Sequence, residues 1–198
     1  MQHIINFIIE LDKLKTVTRK TRVLYEDRYE NTAEHSWQIA MLALSLAQYA
    51  AEPIDINRVI QMLLVHDIGE IDTGDTMVYE EVGLAERKLA EKSAVTRIFN
   101  LLLPSEADQL MAIWQEFEDV NTAEARFAHA ADRAMPVLLN LANNGQSWVE
   151  NGISYQRVVN KIRAPIEAGC PLLWEEIATQ LAAANRRGWF GMAGADMN

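Results

Sequence analysis

His66 and Asp67 are adjacent near the end of an apolar run, VIQMLLVHDIGE (Val59 to Glu70). An imidazole and a carboxylate in that setting are costly to bury unless both bind something, and a divalent metal satisfies them together. The chain has only four histidines, so the nitrogen donors can be enumerated. His35 opens a strongly helical stretch, with Ile39 and Leu42 on its approximate face. His129 and Asp132 lie close together in FAHAADRAMP (Phe127 to Pro136), whose alanines permit close backbone packing. Two histidines and two aspartates make a reasonable shell for a first-row divalent ion. By residue type, His129 and Asp132 compete to complete the set begun by His35, His66 and Asp67. His3, in an apolar terminal helix, is the weakest of the four. Each candidate also has an ordinary reading: His35 as a histidine of a capped helix, Asp132 as the partner of Arg133. Taken together they point to metal-assisted hydrolysis.

Past the doublet the chain continues IGEIDTGDT (Ile68 to Thr76). Glu70 is one turn from His66 and can orient a water or relay its proton. Asp72 and Asp75 follow in a glycine-containing bend, where a carboxylate can reach a substrate hydroxyl or steady a basic side chain. The 12-residue order of a calcium loop is not met. Phosphate-cradling P-loop, GxSxG and HExxH patterns are absent. The single cysteine, Cys170, gives no support to a cysteine nucleophile, a disulfide or a cysteine-rich zinc module.

The net charge of −10 argues against binding a nucleic-acid polymer. Its distribution says more. Lys13, Lys15, Arg19, Lys20 and Arg22 fall within Lys13 to Tyr25, a segment without an acid, which leaves the other 185 residues with 13 basic and 28 acidic side chains. Such a segment can hold a small phosphate-bearing substrate beside a metal; its plainer reading is a solvated helix face with a following turn.

The elements that must position these groups read as helices. The periodicity predicts helices over 2–14, 32–50, 56–68, 80–100, 106–118, 122–143, 154–161 and 173–187. Breaks fall at Pro53, Gly69 to Gly74, Pro104, Gly145, Gly152 and Gly169 to Pro171. Val23 to Tyr25 is too short an apolar run to establish a sheet. NTAE occurs at Asn31 to Glu34 and again at Asn121 to Glu124, in each case a capping-box-like helix start. With 198 residues and 49% hydrophobic content, one all-α domain over 1–187 is expected, followed by a loose, glycine-rich tail over 188–198 whose aromatics can dock on the body or on a partner. No run of 18 apolar residues predicts a membrane span, and Met1 to Glu10 reads as a first helix, not a signal peptide. A cytoplasmic location is expected.

The pattern of His35, then His66 with Asp67, then Asp132 resembles the HD-domain metal phosphohydrolases, and within them the 5'-deoxynucleotidase-like subgroup (oxetanocin-A-like and HD-domain-containing-2-like). The matching stretches are LKTVTR (Leu14 to Arg19), ENTAEHS (Glu30 to Ser36), MLLVHDIGEIDTGD (Met62 to Asp75) and AADRAMP (Ala130 to Pro136), and the likeness runs over roughly residues 5–165. The resemblance implies an HD-domain helical bundle in which His35, His66, Asp67 and Asp132 hold one divalent ion, favouring Asp132 over His129. It implies that Glu70 handles the proton of water, that Asp75 is a catalytic or substrate-contact carboxylate, and that Arg19 engages the phosphate. It also implies cobalt or manganese as the metal, with zinc, magnesium, nickel or iron(II) as further candidates, and a homodimer acting on nucleoside 5'-monophosphates, commonly deoxyribonucleotides.

One departure bears on substrate. Relatives carry a tryptophan shortly after the phosphate-contact arginine, whereas this chain reads RKTRV (Arg19 to Val23). Lys20 and Arg22 can favour a second phosphate or another anionic group, which keeps a nucleoside diphosphate or phosphodiester as the alternative substrate. A metal-stabilised helical interaction protein, using Trp189 and Phe190, is the non-enzymatic alternative.

Overall fold

Ten α-helices carry most of the residues described by the computed structural model, 1–80 and 83–191. Helix α1 (Gln2–Leu11) ends earlier than its periodicity suggests, tightening into a 3₁₀ turn at Asp12–Thr16 where Lys13 and Lys15 pair with Glu10 and Asp12. The chain then forms β1 (Thr18–Arg22), which pairs antiparallel with β2 (Tyr29–Asn31). This hairpin corrects the helical reading of the basic segment. TRKTR lacks the apolar alternation that marks a half-buried strand, so nothing in its pattern announces it. The pairing runs from Thr18 opposite Asn31 to Arg22 opposite Tyr29, with a register shift between them.

Asn31 is also the N-cap of α2 (Thr32–Leu46). Its side chain accepts from the Glu34 amide at 3.0 Å, and Glu34 Oε2 accepts from the Asn31 amide at 3.1 Å, a complete capping box. The second NTAE behaves differently. There Thr122 caps α7 (Ala123–Ala142), while Glu124 accepts from the Asp55 amide at the start of α3 (Ile56–Val65).

After α3 come the short α4 (Glu70–Thr73), α5 (Leu84–Phe99) and α6 (Pro104–Asp119). Glu81 and Val82, inside the predicted 80–100 helix, lie outside the described residues. Beyond α7 stands α8 (Gln146–Glu150), which periodicity missed because five residues are too few to show it. Helix α9 (Tyr155–Gly169) passes through Pro165 and ends eight residues beyond its predicted end at 161. Burial of Val158, Ile162 and Ile166 on one face outweighs the roughly 3 kcal/mol that an internal proline costs. Helix α10 (Pro171–Arg186) closes the bundle.

Helix α7 is the axis. Ala125, Ala128, Ala130, Ala131 and Ala134 are buried on it, so neighbours approach its backbone closely. At the α9 crossing a Cβ on Gly169 would stand 2.4 Å from the Arg126 carbonyl oxygen. One core gathers α1, α2, α3, α5 and α6 on α7, and a second gathers α8, α9 and α10 on it. Phe190 belongs to that second core, stacked on Trp148 at 4.6 Å and edge-on to Tyr155. The aromatics of the expected loose tail therefore dock on the body; 192–198 lie outside the described residues. No helix among the described residues is long and apolar enough to cross a membrane.

Candidate active site

Three helices deliver the metal donors. His35 comes from the first turn of α2, His66 from the residue that ends α3, and Asp132 from the middle of α7; all three are buried. One donor atom from each lies within 4.8 Å of the others. His35 Nε2 is 3.1 Å from Asp132 Oδ1, and His66 Nε2 is 3.8 Å from the same oxygen. Asp67 Oδ2 stands 2.9 Å from His66 Nε2 and 3.9 Å from His35 Nε2.

The donor chemistry fits a divalent ion. His66 Nδ1 donates to the Leu63 carbonyl at 3.0 Å, which fixes one proton there and aims Nε2 at Asp67. Burial is outweighed by Asp67, which raises the imidazole's pKa, and loss of the Nε2 proton gives a lone pair for an ion. Nε2 is buried and makes no aligned hydrogen bond despite its closeness to Asp67. His35, His66 and Asp132 form a divalent-metal site. His129, the competing nitrogen, is turned away. Its Nε2 donates to the Phe117 carbonyl at 2.8 Å and its ring stacks on Phe117 at 4.0 Å.

Arg19 crosses from β1 into this cluster. Nη1 lies 3.1 Å from Asp67 Oδ2, 3.1 Å from Asp75 Oδ1 and 3.8 Å from Glu70 Oε1, and Nε is 3.3 Å from Glu30 Oε1. Burial disfavours its charge, but the acids more than compensate and hold the guanidinium ionised. Glu70 opens α4, receives a 2.7 Å hydrogen bond from the Thr32 hydroxyl at Oε2, and shares another with Asp75. Burial, then the charge of Asp67, pushes the Glu70 carboxyl up to about 9. Burial raises Asp75 and brings Glu30 to about 7, with Arg19 opposing in both cases. Asp67 moves the other way, to about 2, because His66 and Arg19 outweigh its burial. Asp132 is held well below the usual range, with Arg133 and His35 outweighing burial. Burial, with Arg19 adding to it, lowers His35 to about 4, so that imidazole is neutral and ready to ligate near neutral pH.

These groups open on a cavity of about 410 Å³ whose lining includes Arg19, His66, Asp67, Glu70, Asp75 and Asp132. Met77, Tyr79, Val137, Trp148 and Ile162 line the same cavity, as do the charged side chains of Arg87, Lys88 and Glu91. Lys20 lines the cavity, whereas Arg22 does not. Arg22 reaches Glu150 and Asp27 and lies over the Tyr29 ring. Asp72 is likewise taken, by Arg97.

Residue reasoning passed over Glu30, Thr32, Trp114 and Phe117. The Trp114 indole donates to the His66 carbonyl at 3.1 Å, and the Phe117 ring lies 5.1 Å from that of His66. Only Thr32 carried a local signal, as a member of the capping sequence beside His35.

A helical bundle that brings two histidines and an aspartate from three helices together at one ion site, with a buried arginine alongside, defines a metal-dependent phosphohydrolase. The chain belongs to the HD-domain family, whose model, described as HD domain, matches residues 11–174. It is similar to a crystal structure of a protein from Magnetospirillum magnetotacticum MS-1 described as a predicted metal-dependent phosphohydrolase, at 42% identity and a TM-score of 0.90 over 96% of this chain and 95% of that one. The 5'-deoxynucleotidase HDDC2 of Dictyostelium discoideum is 28% identical over 91% of this chain and 97% of its own length. The Homo sapiens protein of the same name is 26% identical over 68% and 65%.

The raised Glu70 carboxyl has a thermodynamic signature in metal-stripped protein. It ionises near 4.5 in the unfolded chain and near 9 in the folded one, so folding takes up a proton between those values. Its contribution to stability is complete below the lower value and is lost as pH rises through the upper. Glu70→Gln removes this dependence. The variant's Tm is expected to match wild type near the lower value and to exceed it at about pH 8, by ~2–4 °C for each kcal/mol relieved. A pH-independent offset in thermal melts contradicts this reading.

Proposed function

We propose that the protein is a 5'-nucleotidase that releases inorganic phosphate from nucleoside 5'-monophosphates, deoxyribonucleotides among them. The observation that carries this is the placement of Arg19 against the metal donors in a cavity that Met77, Tyr79 and Trp148 also line. A phosphate fits beside Arg19 and the donors, and the aromatic and apolar lining residues suit a nucleoside. The kinship with proteins named 5'-deoxynucleotidase supports the same substrate.

His35, His66, Asp67 and Asp132 hold the ion, which we propose is cobalt or manganese. A divalent ion in this shell supplies Lewis-acid chemistry, lowering the pKa of water and polarising a phosphoryl oxygen. Arg19 neutralises charge that develops on the phosphoryl oxygens. Its ion pairs with Glu30, Asp67 and Asp75 run through Nε and Nη1, which leaves Nη2 for the substrate. Glu70 takes the proton of the attacking water at Oε1, since Thr32 already donates to Oε2. In the metal-free protein its raised pKa keeps it protonated near neutral pH. Accepting that proton would require the positive charge of a bound divalent ion to lower its pKa first. Asp75 orients Arg19 and contacts substrate.

Lys20 supports a second reading. Its exposed side chain on the cavity wall suits a further phosphate, as in a nucleoside diphosphate or phosphodiester. Arg22 adds little to that reading while Glu150 and Asp27 hold it.

A homodimer is proposed as well. Trp37, Met41 and Leu44 form one exposed apolar ridge on α2, a surface that a second copy can cover. Light scattering is expected to give twice the chain mass, and Trp37→Glu a single one; a wild-type monomer at micromolar concentration excludes the dimer.

For activity, metal-stripped protein re-supplied with cobalt or manganese is expected to release phosphate from nucleoside monophosphates. Arg19→Lys is expected to lower kcat/KM by about 100-fold or more, with the fold retained. Cleavage confined to a diphosphate or diester favours the Lys20 reading. Turnover that needs no metal overturns both.

A further inference from the structure

Glu30 is almost wholly buried on β2, yet it neither lines the cavity nor counts among the metal donors. A carboxylate is costly to bury without donors around it. Its Oε1 faces two: Arg19 Nε at 3.3 Å and His35 Nδ1 at 3.9 Å. A carboxylate oxygen has room for both.

The two neighbours belong to different halves of the site. The Nε2 atom of His35 points toward Asp132 and Asp67, so Nε2 is the metal-facing nitrogen. An imidazole that gives its Nε2 lone pair to an ion carries its proton on Nδ1, and that proton needs an acceptor. His35 Nδ1 is buried and makes no hydrogen bond, and Glu30 Oε1 is the carboxylate oxygen on that side of the ring. The same oxygen pins Arg19 by Nε, the edge of the guanidinium away from Nη1, which meets Asp67 and Asp75.

We infer that Glu30 is a positioning residue whose Oε1 ties the metal ligand His35 to the phosphate-binding Arg19, so that the ion and a phosphate bind cooperatively. The inference rests on the reading in which Arg19 receives phosphate. Orientation of His35 by the ion draws Glu30 Oε1 toward Nδ1, and Arg19 Nε is carried with it. Removing Glu30 leaves each half formed but uncouples them.

The test is calorimetric titration of metal-stripped full chain with manganese, then with inorganic phosphate, each with and without the other. Wild type is expected to bind phosphate more tightly when manganese is present. Glu30→Gln is expected to weaken manganese about tenfold and to abolish most of the mutual enhancement. Combined with Arg19→Lys, its effect on phosphate affinity is expected to fall short of the sum of the single effects. A purely structural residue would lower Tm and leave both affinities unchanged, and that result, or additivity, overturns the inference. Should Glu30→Gln fail to fold, the wild-type titrations decide: manganese and phosphate that bind independently overturn the inference. A wild type that cleaves no nucleotide defeats the nucleotidase reading alone, because the manganese titration still decides the role of Glu30.

Discussion

Negative charge forced together inside a helical core is the constraint on which this molecule turns. Glu30, Asp67, Glu70, Asp75 and Asp132 crowd around Arg19, His35 and His66, away from bulk water. In a low-dielectric interior such a group is tolerable only if positive charge or protons balance it. The carboxyls divide accordingly. Those beside His66 or Arg133, Asp67 and Asp132, stay ionised well below the ordinary range. Those for which burial dominates, Glu30, Glu70 and Asp75, are pushed upward. A divalent ion held by His35, His66 and Asp132 would supply positive charge to this cluster, next to Glu70, whose proton affinity is raised.

The scaffold is arranged to hold that cluster still. Donors come from α2, α3 and α7, three helices that share one core, so none can move without disturbing the others. The α3 helix stops at His66, and the Trp114 indole fixes the carbonyl exposed there. The capping box at Asn31 sets the first turn of α2, and with it His35. The β1–β2 hairpin brings Arg19 in from the opposite side, and the Ser147 hydroxyl anchors the hairpin by donating to the Lys20 carbonyl at 2.6 Å. Trp148, next to Ser147, lines the cavity and is itself backed by Phe190.

Much of this was legible before any coordinates. The His66–Asp67 doublet stood out because a polar pair interrupts an apolar helix, and the long helices announced themselves by period and caps. What escaped did so for physical reasons. Strand β1 is TRKTR, with no apolar face to betray it; its stability comes from pairing with β2 and from contacts to α7 and α8. Helix α9 outruns Pro165 because burial decides there, and propensity sees only the proline. Thr122, not Asn121, caps α7, since Glu116 and Asp55 claim neighbouring groups in three dimensions. Residue types alone left Asp132 and His129 open and the resemblance favoured Asp132; the tertiary reason is that His129 spends its Nε2 proton on Phe117. Glu30 had no local signature, because its meaning lies in Arg19 and His35, eleven and five positions away.

The buried cluster of His35, His66 and Asp132 is built to bind a divalent ion. The most direct test of that binding is the metal stoichiometry of the stripped protein after re-supply with manganese, read beside its thermal melt. One ion bound per chain, with a Tm that climbs as manganese is added and an Asp132→Asn variant that loses both effects, is the result this account requires. A stripped protein that takes up no ion, or whose melt is unmoved by millimolar manganese, contradicts it.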